Sequence, residues 1–252
     1  MIKTFIIAEA GANHNRNFNQ ALKLIEIAKE SGADAVKFQT YSSETLYSKN
    51  TPDFAGYHNI NQLIKDIELP LESTDLRFLD MVASTRLPLI ISAGIGCSLD
   101  FIDKIIKTCN NKGCDDLTIL HCNNAYPTPQ KDVNLSTIKD IQAYYPSVKV
   151  GLSDHTVNTL TPSLAVTMGA RVIEKHFTIS RKLPGPDHPF ALEPKELKQM
   201  IDNIRLTEIS LGRKKEQYTK SEIDFSKARR SIVAKKNIKK GDLLDEVNIT
   251  TK

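Results

Sequence analysis

The stretch VKVGLSDHTVNTLTPSLAVTMGARVIEKH, residues 148–176, decides the fold. It opens on a short buried-strand pattern, Val148–Ser153, whose end carries Ser153-Asp154-His155. A polar loop leads into the helical stretch Thr161–Met168. A second strand pattern, Arg171–His176, ends on Glu174-Lys175-His176. Strand, loop, helix and strand in succession predict two parallel strands joined by a crossover helix.

The same unit recurs outward from this stretch. Phe5–Ala10, Ala35–Gln39, Leu89–Ser92 and Leu117–His121 read as further strands. The helical stretches Asn19–Ser31, Leu99–Cys109, Asn134–Tyr144 and Pro194–Leu211 alternate with them. In the first helix Leu22, Ile25 and Ala28 recur at helical spacing, and Gly32 ends it. Such alternation gives a parallel sheet covered by helices, either open and doubly wound or closed into a barrel. Polar residues favour the barrel. Glu9, Lys37, Gln39, Ser92, His121, Ser153, His155, Lys175 and His176 fall at the C-terminal ends of separate strands, which in a barrel share one rim. Neither G-x-G-x-x-G nor G-x-x-x-x-G-K-[ST] occurs, so a dinucleotide or P-loop fold has no support. The expected fold is an α/β, TIM-type (β/α) barrel.

That barrel is short of parts. Six strands are recognisable, and Thr40–Arg86 offers no convincing one. Eight units within residues 1–212 would average about 26 residues each, against roughly 31 in a typical barrel. After Gly212 the composition shifts. Residues 1–212 read as the barrel, 213–227 as a charged linker and 228–252 as the start of a small β module. The basic run of that module (Lys227, Arg229, Arg230, Lys235, Lys236, Lys239, Lys240) is most simply a solvated face.

Composition bounds the partners. The 252 residues include 34 basic and 30 acidic side chains, a formal charge of +4, with 6% aromatics and no Trp. Nucleic acid is not an expected partner. The run Phe5-Ile6-Ile7-Ala8, broken at Glu9, is too short for a membrane span or a signal-peptide core. Cys97, Cys109, Cys114 and Cys122 form no C-x-x-C pair, so neither a zinc ribbon nor a redox dithiol is indicated. A cytoplasmic chain with reduced thiols is expected.

Several residues carry possible chemistry. His155 and His176 end consecutive strands, so both imidazoles can reach one place on the rim. They suit a divalent metal with open positions, or equally a pair of hydrogen-bonded histidines under loops. Lys37 and Lys175 can pair with phosphate or carboxylate, or form Schiff bases, or simply pair with Glu9 or Glu174. Glu9 is a carboxylate in an apolar strand, which is costly unless paired or functional. Asn13-His14-Asn15 can bind a polyol or merely form turns. Leu183-Pro184-Gly185-Pro186-Asp187-His188 is a stiff loop holding two ionisable residues over the same rim.

Together the segments resemble the sialic acid synthase family. The matching stretches are I-I-A-E-A-G-A-N-H-N (6–15), G-A-D-A-V-K-F-Q-T (32–40), I-I-S-A-G (90–94) and L-H-C-N-N-A-Y-P-T-P (120–129). V-G-L-S-D-H-T (150–156), V-I-E-K-H-F-T (172–178) and L-P-G-P-D-H (183–188) continue the match, and A-R-R-S-I-V-A-K-K-N-I-K-K-G (228–241) resembles the opening of that family's antifreeze-like β-clip (SAF) domain. The resemblance implies a cytoplasmic, homodimeric transferase of sialic acid biosynthesis. It would condense phosphoenolpyruvate with N-acetylmannosamine or a related N-acyl amino sugar.

By motif, the resemblance implies His155 and His176 as ligands of Mn²⁺ or Mg²⁺. It implies Lys37, Ser92, Asn124 and Ser153 as phosphoenolpyruvate contacts, and Gln39, Tyr126 and Asp187 as groups facing the sugar. Glu9 and Glu72 are implied as the catalytic acids. It also marks departures. The family has two more strands between the second strand and I-I-S-A-G, one bearing a Lys and a Ser for phosphoenolpyruvate. Here Leu69-Pro70-Leu71 runs straight into Glu72-Ser73-Thr74, as though a two-unit block were missing. The Arg that the family's β-clip domain donates across a dimer has no match before Lys252. Two other readings follow: a legionaminic-type synthase using a diacetamido trideoxy sugar, and a catalytically impaired remnant that binds metal or ligand.

Overall fold

The computed structural model describes residues 3–39, 76–94, 97–212 and 219–252. The chain divides into two compact units, Met1–Leu211 and Gly212–Lys252.

In the first unit β1 (Phe5–Gly11), α1 (Phe18–Ser31) and β2 (Ala35–Phe38) come first. Next come α2 (Leu76–Ala83), β3 (Leu89–Ala93), α3 (Leu99–Asn111), β4 (Leu117–Cys122) and α4 (Ser136–Tyr144). β5 (Lys149–Asp154), α5 (Thr161–Thr167), β6 (Val172–His176) and α6 (Pro194–Leu211) complete it. All five strand pairings are parallel, in the order β2-β1-β6-β5-β4-β3. The order is that of a barrel. β1 and β6, distant in sequence, pair from Phe5↔Val172 to Glu9↔His176, which is the closing contact of such a ring. Among the described residues the ring has one gap, between β2 and β3. The chain between those strands holds the stretch in which the sequence predicts a missing block. An incomplete TIM-type barrel is therefore the observed architecture.

Two apolar layers hold it. Ile6, Ala8 and Ala10 of β1, Ile119 of β4, Val150 and Leu152 of β5 and Ile173 of β6 pack outward against the helices. Ile7, Leu120 and Val172, with Ala35 against them, form a separate small cluster inside the curl. Period-two alternation sorts side chains between the layers. α1 differs from expectation in its buried face. Leu24, Ile27, Ala28 and Ser31 pack inward, while Leu22 and Ile25 are exposed. The helix carries apolar residues on two adjacent faces, so spacing alone could not choose between them. Asn17 caps its start by accepting from Gln20 N, and Gly32, in the left-handed region, ends it.

The second unit contains one antiparallel pair, β7 (Ile232–Ala234) with β8 (Ile249–Thr251). Thr219 and Glu222 form a capping box ahead of it. Among the described residues no helix is long and apolar enough to cross a membrane.

Candidate active site

The interior faces of the strands converge on a charged cluster at their C-terminal ends. One step along from Ile7 and Ala35, on the same faces, stand Glu9 of β1 and Lys37 of β2; beyond Val172 on β6 stands Glu174. Lys37 Nζ lies 2.8 Å from Glu9 Oε2 and 2.9 Å from Glu174 Oε2. The other oxygen of Glu174 accepts from Ser153 Oγ at 3.0 Å, and Glu9 Oε1 accepts from the Gly11 N–H at 2.8 Å. Burial pushes the Glu9 carboxyl up to about 8, against the pull of Lys37 and with Glu174's charge adding to it. For Lys37 burial opposes the charge, but Glu174 and Glu9 outweigh it and hold the ammonium above the ordinary lysine range.

Beside this cluster lie the two histidines. The rings of His155 and His176 are 5.4 Å apart, and both residues are buried. His155 Nδ1 is 2.7 Å from the Asn123 carbonyl, so that nitrogen carries the proton and donates. Its Nε2, 3.4 Å from Ser153 Oγ, keeps its lone pair. Tyr126 stacks on His155 at 4.1 Å between centroids, and Phe190 meets His176 at 5.2 Å. The loop carrying Tyr126 is pinned by Thr128 N donating to His155 O and by Asn123 Nδ2 donating to Asp132 O. Burial lowers both imidazoles, His176 more strongly and with His155 adding to it, so both are neutral near pH 7.

Asp187 reaches the same place from the loop after β6. Its Oδ2 lies 3.9 Å from His176 Nδ1, and burial pushes its carboxyl up to about 6. The loop is anchored to the end of β1: Asn15 Nδ2 donates to Pro184 O, and Asn13 Nδ2 donates to Phe177 O. Asn13 and Asn15 thus hold backbone. Gln39 follows β2, with its N–H on the Gly11 carbonyl at 3.4 Å and its Oε1 buried without a hydrogen-bond partner. Ser92 and Asn124 are half-buried on the β3–β4 side. Gly94 runs so close to Asn124 that a Cβ there would sit 2.1 Å from Asn124 Oδ1. Gly94, Asn124, Cys122, Asn123 and Ala125 line a cavity of about 380 Å³. Glu72 lies outside the described residues.

The structure therefore gathers Glu9, Lys37, Ser153, His155, His176, Tyr126 and Asp187. It removes other rim residues. Lys175 is 1% exposed and turned to the helix layer, where Asp154 Oδ2 lies 2.6 Å from its Nζ and the Thr156 carbonyl also accepts from it. Its partner is Asp154, not Glu9 or Glu174, because alternation places Lys175 on the opposite face from Glu174. His121 likewise turns outward to the Val133 carbonyl at 2.7 Å. His188 is fully buried, with Nδ1 2.6 Å from Thr178 Oγ1, so only Asp187 of that loop faces the site. Sequence reasoning missed Gly11, Phe190 and the part played by Glu174. The signal for Glu174 was present, since it shares the strand face of His176.

Metal binding can be tested on the donors. Among the described residues no group of three or more His, Cys, Asp or Glu is arranged to hold an ion. Two neutral imidazoles are present, one fixed by a carbonyl so that its other nitrogen keeps its lone pair, the other with a buried, unpartnered Nδ1. This set fits two positions on a divalent ion, leaving the rest to substrate and water.

An incomplete parallel barrel thus gathers at its strand ends a lysine between two carboxylates, beside paired histidines. The chain belongs to the NeuB family, which matches residues 24–75 and 69–216. Members of this family condense phosphoenolpyruvate with an amino sugar. The two matched segments meet at 69–75, where the sequence reading places its junction. The chain is 36% identical to N,N'-diacetyllegionaminic acid synthase of Legionella pneumophila over 293 residues, covering 94% of this chain and 82% of that one. It is 33% identical to a pseudaminic acid synthase of Campylobacter jejuni over 297 residues, covering 98% and 86%. Both alignments are longer than the chain's 252 residues, so each includes residues of the relative with no counterpart here. The N-acetylneuraminic acid synthetase of Leptospira borgpetersenii superposes with a TM-score of 0.77 at 29% identity, covering 90% of this chain and 91% of that one.

Proposed function

We propose that this chain joins phosphoenolpyruvate to the open-chain aldehyde of an N-acyl amino sugar, giving a 2-keto acid sugar and phosphate. The observation that carries the reading is Lys37, fixed at the strand ends beside two neutral imidazoles. Lys37 and Ser153, with Ser92 and Asn124, hold the anion near its attacking position. Tyr126, Gln39 and Asp187 face the sugar. His155 and His176 would hold a divalent Mn²⁺ or Mg²⁺, which would supply Lewis acidity toward the sugar's carbonyl oxygen.

The enol carbon of phosphoenolpyruvate attacks the aldehyde carbon, water adds to the cationic carbon that results, and phosphate leaves by C–O cleavage. Glu9, whose carboxyl burial pushes up to about 8, can move a proton to or from the groups at this centre. The sugar has two candidates. N-acetylmannosamine is one; a diacetamido trideoxy sugar is the other, supported by the 36% identity to a legionaminic acid synthase. Phosphate release from phosphoenolpyruvate, measured with Mn²⁺ and each sugar in turn, tests the reading. Release that requires both metal and one sugar is expected. Its absence from a cooperatively folded sample supports the impaired, ligand-binding alternative.

A further inference from the structure

Lys37 and Ser153 come from strands on opposite sides of the closing pair, β2 and β5, and one side chain joins them. Glu174 stands on β6, in register with Ile7 on one side and Ser153 on the other. Its two oxygens are divided: Oε2 pairs with Lys37 Nζ at 2.9 Å and Oε1 accepts from Ser153 Oγ at 3.0 Å. A lysine side chain has four flexible torsions, and 43% of this one is exposed at the rim; Glu9 holds its Nζ at 2.8 Å from one side and Glu174 from the other. A serine hydroxyl rotates freely until an acceptor fixes it. We propose that Glu174 is a positioning residue, the common strut that aims Lys37 and Ser153 at one anionic group of the substrate.

The proposal rests on the reading of the site as a phosphoenolpyruvate site and adds a residue to it. It carries an opposite sign from simple electrostatics. A carboxylate beside an anion site repels the ligand, so removing its charge should tighten anion binding. A strut does the reverse: Glu174→Gln removes a negative charge and nevertheless weakens binding. The amide keeps one acceptor, enough for Ser153 or for Lys37 but not for both.

The experiment is calorimetric titration of phosphoenolpyruvate into the full chain with Mn²⁺ present, for wild type, Glu174→Gln, Ser153→Ala and the double variant, with thermal melts of each. Expected are a cooperative melt for Glu174→Gln and about tenfold weaker binding. The double variant should be weakened by less than the product of the two single effects, because both changes break one assembly. If the enzyme turns over, the KM for phosphoenolpyruvate should rise while that for the sugar holds. Binding by Glu174→Gln as tight as wild type, or tighter, overturns the proposal alone. So do multiplicative effects in the double variant. Wild type that binds no phosphoenolpyruvate overturns the reading of the site and the proposal with it. Should Glu174→Gln fail to fold, Glu174→Asp, which keeps the charge but is one methylene short of bridging both partners, must show the same loss; unimpaired binding by it sinks the idea.

Discussion

Gly11 and Asp187 meet at the mouth of the barrel so closely that a Cβ on Gly11 would lie 2.8 Å from Asp187 Oδ2. The same Cβ would be 3.4 Å from Glu9 Oε1 and 3.5 Å from His176 Cε1. Three side chains from three segments thus share the space one missing methyl leaves. Gly11 also has φ of +49°, in the left-handed region. Gly11→Ala should lose about 1–2 kcal/mol from backbone strain and displace Asp187. Denaturant unfolding and the sugar KM check this; an unchanged KM would separate Gly11 from the site.

Metal dependence should appear as stability before it appears as turnover. Mn²⁺ at a hundredfold excess over its Kd should stabilise the wild-type chain by about 2.7 kcal/mol. In His155→Ala or His176→Ala that gain should vanish while the metal-free melt stays cooperative. A thermal shift series with Mn²⁺ and a chelator reads it directly. Equal shifts in all three proteins would place the ion elsewhere.

Lys175 and Asp154 make a buried ion pair on the side of the sheet away from the site. Lys175→Met leaves Asp154 charged among helices, with the Thr156 N–H and hydroxyl as its remaining donors. The expected loss is about 3–5 kcal/mol in urea unfolding. Borohydride with pyruvate should trap no adduct on Lys175, since its ammonium is sealed from solvent. A trapped adduct there would show that Lys175 forms the Schiff base its residue type allows.

Glu9 should give the chain a distinctive dependence on pH. Its folded pKa of about 8 stands above its ordinary value of 4.5, so the native state holds an extra proton between those values. Stability from this group is therefore fullest below pH 4.5 and falls as pH rises through 8. Glu9→Gln, which mimics the protonated acid, should flatten that fall. Urea midpoints at pH 5 and pH 8.5 test it; equal slopes in both proteins would contradict the assignment.

Much of this was legible in the residues. Strand and helix positions follow from runs such as Leu117–His121 and Pro194–Leu211, where long apolar patterns and clear stops leave little choice. The sequence also predicts the gap that the described residues show between β2 and β3. What failed was facing. A rim list holding both Lys175 and His176 is inconsistent with a strand, because neighbours point to opposite sides. Applying that alternation keeps Glu174 and His176 inside and sends Lys175 out. His188 was not legible, since its burial depends on Thr178 and on the path of a loop. The buried face of α1 was ambiguous because Leu22 and Leu24 begin equally good stripes.

The pairing of β1 with β6 also has a consequence for assembly on the ribosome. One edge of β1 acquires its neighbour only when residues 172–176 exist, after most of the barrel has been made. At about 5–20 residues per second, that edge waits on the order of ten seconds during synthesis. Through that interval Ile6 and Ile7 are available to other chains, with Glu9 the only charged side chain in the strand. β6 also brings Glu174 to Lys37, so the cluster that organises the site is among the last contacts of the barrel to form.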